Sequence, residues 1–126
     1  MVSFKSMPRK NPQDLEAQEK FYAIPVHGNV IGLEKLSKRA AAKSSLTKGD
    51  CYNVIDNFMD TIMEYLEEGY RVQLGGVGTF RMSLKSEGAE TPEELTSANI
   101  VRSRIVFTPG VELKRMLRDV KYKKVL

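Results

Sequence analysis

The sequence predicts a small α+β domain in which two helices are followed by three strands and a short final helix. Apolar residues recurring every three to four positions mark the helices, and alternating apolar and polar residues mark the strands. The chain has 126 residues, of which 41% are hydrophobic, enough for one domain with a core of its own.

Residues 1–29 are predicted to form an N-terminal extension, separate from the domain that we place at residues 30–126. The prolines at positions 8 and 12 exclude a helix interior there. Residues 21–26 are rich in strand-forming side chains but include a proline, so they suit an edge strand.

The domain is predicted to begin with two helices. The first covers residues 33–43, where apolar side chains fall at i, i+3 and i+7. Thr47 is a good N-cap for the second helix, residues 48–66, and Asp50 favours its positive end. Gly69 is expected just after its C-terminal end.

The second helix has an unusually broad apolar face. Its main stripe consists of Cys51, Val54, Ile55, Phe58, Ile62, Tyr65 and Leu66. One short neighbouring helix cannot cover a face of this width. The pattern leaves two explanations open: the helix is buried against its own sheet, or it is shared with a partner subunit.

Three strands are predicted, at residues 70–74, 79–85 and 100–107. A glycine-rich turn at 75–78 joins the first two strands. Residues 86–99 are polar and are expected to form a loop or an extended arm. Residues 109–110, a Pro-Gly pair, end the third strand, and a short helix follows at 111–120.

Positive charge is concentrated in two segments of the chain. The net charge is +4, and residues 33–48 and 107–126 each carry that same excess of basic residues. Residues 49–72 hold six acidic side chains against a single arginine. Solvated helix faces are the ordinary explanation for any one run, but the polarity also suits a molecule that lays one side on a polyanion.

Several function classes find no support in the sequence. The only cysteine, Cys51, lies within the apolar stripe and is expected in the core, and with a lone His27 it cannot build a zinc site. Residues 76–80 lack the spacing of a phosphate-binding loop and precede a strand. We therefore expect no enzyme activity, no cofactor, no metal and no small-molecule substrate. Without any apolar run of signal or membrane-span length, we also expect a cytoplasmic protein with no membrane partner.

Three stretches resemble the HU/integration host factor family of bacterial histone-like proteins. They are Leu-Gly-Gly-Val-Gly-Thr-Phe at 74–80, Leu-Thr-Lys-Gly-Asp at 46–50 and Phe-Thr-Pro-Gly-Val-Glu-Leu-Lys at 107–114. The resemblance covers about residues 30–120. The extension, the acidic arm and the tail look most like the HU-related branch common in Bacteroidetes.

The resemblance implies an intertwined homodimer that binds double-stranded DNA. Two N-terminal helices would form its base, and a small antiparallel three-stranded sheet with an extended β-arm would form a saddle. The implied role is sequence-tolerant, architectural compaction of DNA in the nucleoid. The implied DNA contacts are Arg81, Lys85, Arg102 and Arg104 from saddle and arm, Lys114, Arg115 and Arg118 from the base, and Pro92 as a wedge.

The arm departs from the family pattern. Family arms are strongly basic, with Arg-Asn-Pro near the tip, whereas residues 82–106 hold three basic and four acidic side chains. Pro92 is flanked by Thr91 and Glu93. The alternative function is therefore a dimeric protein-interaction or scaffold module that kept the fold and lost most of its DNA affinity.

Overall fold

The computed structural model describes residues 1–125 and divides into two compact units. One unit comprises residues 1–30 together with the chain from Met116 onward, and the other comprises residues 31–115. The elements are β1 (Val2–Arg9), β2 (Lys20–Val26), α1 (Leu33–Ala42), α2 (Lys48–Glu67), β3 (Val72–Leu74), β4 (Gly78–Ser86), β5 (Ile100–Pro109), α3 (Val111–Asp119) and β6 (Tyr122–Lys124).

The first unit is a three-stranded sheet of order β2-β1-β6. β1 pairs antiparallel with β2, which lies at the edge, and parallel with β6. Backbone hydrogen bonds join the chain ends: Val2 N donates to Lys121 O at 2.8 Å, and Val125 N donates to Phe4 O at 2.9 Å. The sequence groups the tail with residues 30–126, whereas in the structure the tail joins the extension in one sheet. The division into an extension, residues 1–29, and a domain, residues 30–126, stays a prediction.

In the second unit, α1 and α2 form within a residue of their predicted bounds. A reciprocal capping box begins α2: Asp50 N donates to Thr47 Oγ1 at 3.1 Å, and Thr47 N donates to Asp50 Oδ2 at 3.4 Å. Asp50 therefore fills the place that a glutamate usually takes. Lys48 Nζ donates to Glu34 Oε1 at 2.8 Å and ties the two helices together.

The sheet of the second unit has the order β3-β4-β5 and is antiparallel throughout. β4 and β5 pair along nearly their whole length, from Gly78 opposite Pro109 to Ser86 opposite Ile100, with one irregularity after Lys85. All three strands predicted for this part of the chain are present. The α+β fold class is thereby confirmed.

The turn between β3 and β4 fits closely against the start of α3. Gly110 N donates to Val77 O at 2.8 Å, and Glu112 N donates to Gly76 O at 3.1 Å. A Cβ on Gly76 would stand 2.5 Å from Glu112 Cγ, and one on Gly110 would collide with the carbonyl of Gly76. Gly110 is therefore needed because the backbones of turn and helix meet there, whereas a Cβ on Gly76 would meet only the flexible side chain of Glu112.

Little of the apolar surface of this chain is buried. Among the described residues, Cys51 and Leu66 are the only large or medium apolar side chains that are less than a tenth exposed, at 6% and 7%. On α2, Phe58 and Met63 remain 51% and 58% exposed. The explanation that α2 is buried against its own sheet therefore does not hold for the single chain. None of the helices in residues 1–125 is long and apolar enough to cross a membrane.

Candidate nucleic-acid interface

The pairing of β4 with β5 brings four cations onto one face of the sheet. Directly paired residues share a face, and successive residues of a strand alternate between faces. Lys85 lies opposite Arg102, Arg104 lies opposite Ser83, and Arg81 lies opposite Val106. All four basic side chains predicted for saddle and arm are thus exposed on one surface, which we call the basic strand face (Arg81, Lys85, Arg102 and Arg104).

The four cations of the basic strand face form no ion pair with any of the residues that the structure describes. Lys85 and Arg102 are directly opposed like charges, an arrangement that weakens strand pairing. The ion pairs formed between described residues, Lys10–Glu19 and Lys48–Glu34, include none of the four cations. A bound polyanion would supply the missing negative charge.

The opposite face of the same strands is apolar and explains why the cations point one way. Phe80 packs on Phe107, with ring centroids 4.9 Å apart, and Met82 lies opposite Ile105. Because the side-chain period of a strand is two, fixing these residues on one side places every second residue on the other. The packing of the apolar face therefore places the cations on the other face, and this placement requires no contact between the cations themselves.

Three hydroxyl side chains on the basic strand face were not singled out from the sequence. Thr79 lies opposite Thr108, and Ser83 lies opposite Arg104, at positions on the same face as the cations. Hydroxyl groups commonly donate hydrogen bonds to phosphate oxygens. The sequence already indicates two of these hydroxyl groups, because Thr79 and Ser83 alternate with Arg81 and Lys85 along one strand.

Lys114, Arg115 and Arg118 all lie on α3 and are exposed. Lys114 and Arg118 are four residues apart, so they share one side of the helix, whereas Arg115 is turned away by about 100°. Arg118 is near the C-terminal end, where a cation also favours the helix dipole. Their predicted contact with DNA stays a prediction.

Pro92 is exposed at the tip that joins β4 and β5, where it begins a single 3₁₀ turn, Pro92–Glu94. Glu94 N donates to the side chain of Thr91 at 3.3 Å, which caps this turn. Proline favours the first position of a helical turn because its φ angle already suits it. The turn thus accounts for a proline at position 92. The predicted role of Pro92 as a wedge stays a prediction.

Titratable groups do not gather into a metal centre in the part of the chain that the structure describes. The pKa of Glu34 is lowered, chiefly by its hydrogen bond with Lys48 and secondarily by the charge of that ammonium group. Both side chains are solvent-exposed, so the pair is a surface contact of small energetic weight.

Comparison with known proteins places the chain in a family. Residues 1–124 match the family model described as an HU domain fused to wHTH, Ig, or glycine-rich motif. The integration host factor subunit alpha of Colwellia psychrerythraea is 35% identical over 81 residues, which cover 61% of this chain and 81% of that protein. DNA-binding protein HU 1 of Bacillus subtilis is 34% identical over 85 residues, covering 64% and 89%.

Solved structures agree at the level of the fold. A Bacteroides vulgatus protein described as a candidate bacterial DNA-binding protein superposes with a TM-score of 0.67 at 15% identity. The match covers 98% of this chain, which spans about half (48%) of that structure. Anabaena HU, solved with DNA, superposes with a TM-score of 0.50 at 22% identity, covering 71% of this chain and 98% of HU.

The helical pair, the β4–β5 hairpin and the glycine turn against α3 define a histone-like α+β protein. The chain belongs to the HU/integration host factor family, in the group whose HU domain is fused to further motifs. The resemblance noted in the sequence is thereby confirmed.

Proposed function

We propose that this chain is a DNA-binding, histone-like architectural protein of the nucleoid that contacts duplex DNA through the basic strand face. The observation that carries the proposal is the set of four cations on one face of β4 and β5, with no ion-pair partner among the described residues. Arg and Lys contacts to phosphates position a protein on DNA without reading its sequence, so binding is sequence-tolerant. HU and integration host factor relatives support this function.

The functional form is a homodimer whose base is made of α1 and α2 from two copies. The support is the exposed apolar surface of α2, including Val54, Phe58 and Met63, which no other part of the described chain covers. Burying a large apolar side chain fully contributes about 1.5–3 kcal/mol. A second copy placed on α2 would complete the core that one copy lacks.

Two further contacts belong to this proposal. The α3 cations Lys114, Arg115 and Arg118 meet phosphates from the base, and the arm with Pro92 adds little because its tip is acidic. The protein acts without catalysis, cofactor or metal, and it works in the cytoplasm on the nucleoid.

The DNA assignment is tested by titrating a short duplex at several salt concentrations. The logarithm of the binding constant should fall linearly with the logarithm of salt, with a slope of about −0.9 for each phosphate neutralised. Charge reversal of Lys114 or Arg115 should flatten this slope and weaken binding to all sequences equally. Absence of binding even at low salt would overturn the assignment.

The dimer is tested by light scattering and by thermal melts over a range of protein concentrations. Folding coupled to association makes the melting temperature rise with concentration. Phe58→Asp should abolish the dimer and unfold the chain at micromolar concentration, because it places a charge in the shared core. The matched control is Asp56→Asn, which changes a charge on the same helix outside the apolar stripe. A monomeric mass together with a concentration-independent melt would contradict the dimer.

A second function, a protein-interaction or scaffold module with the HU fold, is favoured by one observation. The tip between β4 and β5 carries Glu87, Glu90, Glu93 and Glu94 and no basic residue. If the titration shows no DNA binding while the dimer persists, this function takes the place of the first.

A further inference from the structure

The sheet of the first unit carries a second set of cations that the β4–β5 hairpin does not include. In β1 and β2, Lys5 lies opposite Ile24, and Arg9 lies opposite Lys20. β6 adds Lys123, which lies next to Ser3. Because paired residues share a face and Ser3, Lys5 and Arg9 alternate in step along β1, all four cations are on one face.

This face contains no carboxylate. Its other members are Ser3, Met7, Tyr22, Ile24 and Val26. The four cations are exposed, and none takes part in an ion pair within residues 1–125. Arg9 and Lys20 are directly opposed like charges, as Lys85 and Arg102 are in the other sheet.

The reverse side of the same sheet has a different character. It holds Val2, Phe4, Pro8, Phe21, Ala23 and Tyr122, with Lys124 as its one charged residue. The alternation has therefore sorted cations to one side and most aromatic residues to the other. Solubility requires exposed charges, but it does not require like charges to lie on one face of a sheet.

We propose that the face bearing Lys5, Arg9, Lys20 and Lys123 is a second surface that binds the phosphate backbone of duplex DNA. Lys5 and Arg9 are about 13 Å apart along β1, given a rise of about 3.3 Å per residue. A duplex presents one phosphate per about 1.7 Å of its axis, so roughly eight phosphates fall within that length. Charge complementarity therefore identifies duplex DNA as the ligand of this surface.

The position of the aromatic residues selects duplex DNA over a single strand. Single-strand binding combines cations with aromatic side chains on which bases stack. Here Tyr22 is the only aromatic residue among the cations, whereas Phe4, Phe21 and Tyr122 lie on the reverse side. The surface therefore offers phosphate contacts and one exposed ring, Tyr22, rather than a row of rings on which successive bases could stack.

This inference rests on the proposed function and adds a separate set of contacts to it. The test compares the full-length chain with the triple variant Lys5→Gln/Arg9→Gln/Lys20→Gln on a 40-base-pair duplex. The salt slope should become shallower by about 2.7 for each copy whose sheet contacts DNA. Affinity at 50 mM salt should fall at least tenfold. The matched control, Lys124→Gln, removes a cation from the reverse side of the same sheet and should leave both values unchanged.

A second variant guards against effects on folding. Lys5→Gln/Lys123→Gln leaves the Arg9–Lys20 pair intact and should reduce the slope by about 1.8 per copy. Neither variant should lower the melting temperature, because both reduce the number of like charges on this face, and the triple variant also removes the opposed Arg9 and Lys20. Lys85→Gln/Arg102→Gln, in the other sheet, should reduce the slope independently, and its effect should add to that of the triple variant.

The outcomes separate the two proposals. If the wild type binds and Lys85→Gln/Arg102→Gln weakens it while the triple variant matches Lys124→Gln, the second surface is wrong and the proposed function stands. If the wild type does not bind duplex DNA at all, both fail. A triple variant that loses binding only to single strands, or only to anionic lipid vesicles, also overturns the second surface.

Discussion

The paired strands of the β4–β5 hairpin differ from its tip in charge and in what holds them together. The paired strands bear the basic strand face along their length, and the packed rings of Phe80 and Phe107 lie on the opposite side. At its tip, residues 87–99 include four glutamates and no basic residue. One hairpin therefore has paired strands that attract a polyanion and a tip that repels it.

The tip is ordered by short-range hydrogen bonds of its own. Thr91 caps one 3₁₀ turn, and Thr96 caps a second, where Thr96 N donates to Asn99 Oδ1 at 2.9 Å. Such caps need no ligand and no partner strand to form. A family fold therefore fixes where a hairpin lies, while its side chains decide which part of it can meet DNA.

The largest effect is expected from reversing charge on the paired strands of the hairpin. Arg102→Glu/Arg104→Glu changes four units of charge per chain, and affinity for duplex DNA should fall at least about a hundredfold at 100 mM salt. Stability should hold or rise, because a carboxylate at position 102 would face Lys85 as an opposite charge. Equilibrium titrations and thermal melts measure the two effects.

The control for this variant is Lys10→Glu, which also reverses a charge but lies in the first unit, outside both basic faces. It should bind DNA within about threefold of the wild type. Unchanged affinity of the double variant would mean that the basic strand face does not bind DNA and would remove the distinction between the paired strands and the tip.

Most elements of the second unit could be predicted because their signals are local. The capping pair Thr47 and Asp50 fixed the start of α2, and the Pro109–Gly110 pair separated β5 from α3. Each signal acts within one turn or one strand. The four strand cations were also predictable, since alternation alone assigns a face.

Of the sheet in the first unit, the sequence indicated only an edge strand at residues 21–26, in the region of β2. The sequence did not indicate β1, because the prolines of this region exclude a helix interior without predicting a strand. In the structure, Pro8 is accommodated near the end of β1, where it is paired with Phe21. β6 was missed because its pairing with β1 joins residues more than a hundred positions apart. Long-range pairing leaves no local pattern, so the second set of cations was not recognised as one surface.

A smaller effect is expected from neutralising the tip. Glu93→Gln/Glu94→Gln removes two negative charges per chain and should tighten DNA binding about two- to fivefold at low salt, because repulsion between carboxylates and phosphates is relieved. The gain should vanish near 0.5 M salt, where screening shortens the reach of exposed charges. Glu67→Gln/Glu68→Gln, at the end of α2, is the matched control and should give a smaller gain. Weaker binding of the tip variant would show that the tip contributes directly to the DNA contact.

The smallest effect is expected from Pro92→Ala. An inserting proline that unstacks a base step would make a large bend and several kcal/mol of binding energy depend on that side chain. Pro92 instead begins a turn capped by Thr91 and is followed by Glu93 and Glu94. Alanine can occupy the same position, and the cap remains, so affinity should change by less than about 1 kcal/mol, a factor of about five. Fluorescence transfer between dyes at the ends of a short duplex should report a modest bend that is the same for both proteins. If Pro92→Ala abolishes a large bend, the tip enters the duplex despite its negative charge. The difference in charge between the paired strands and the tip would then not correspond to a difference in DNA binding.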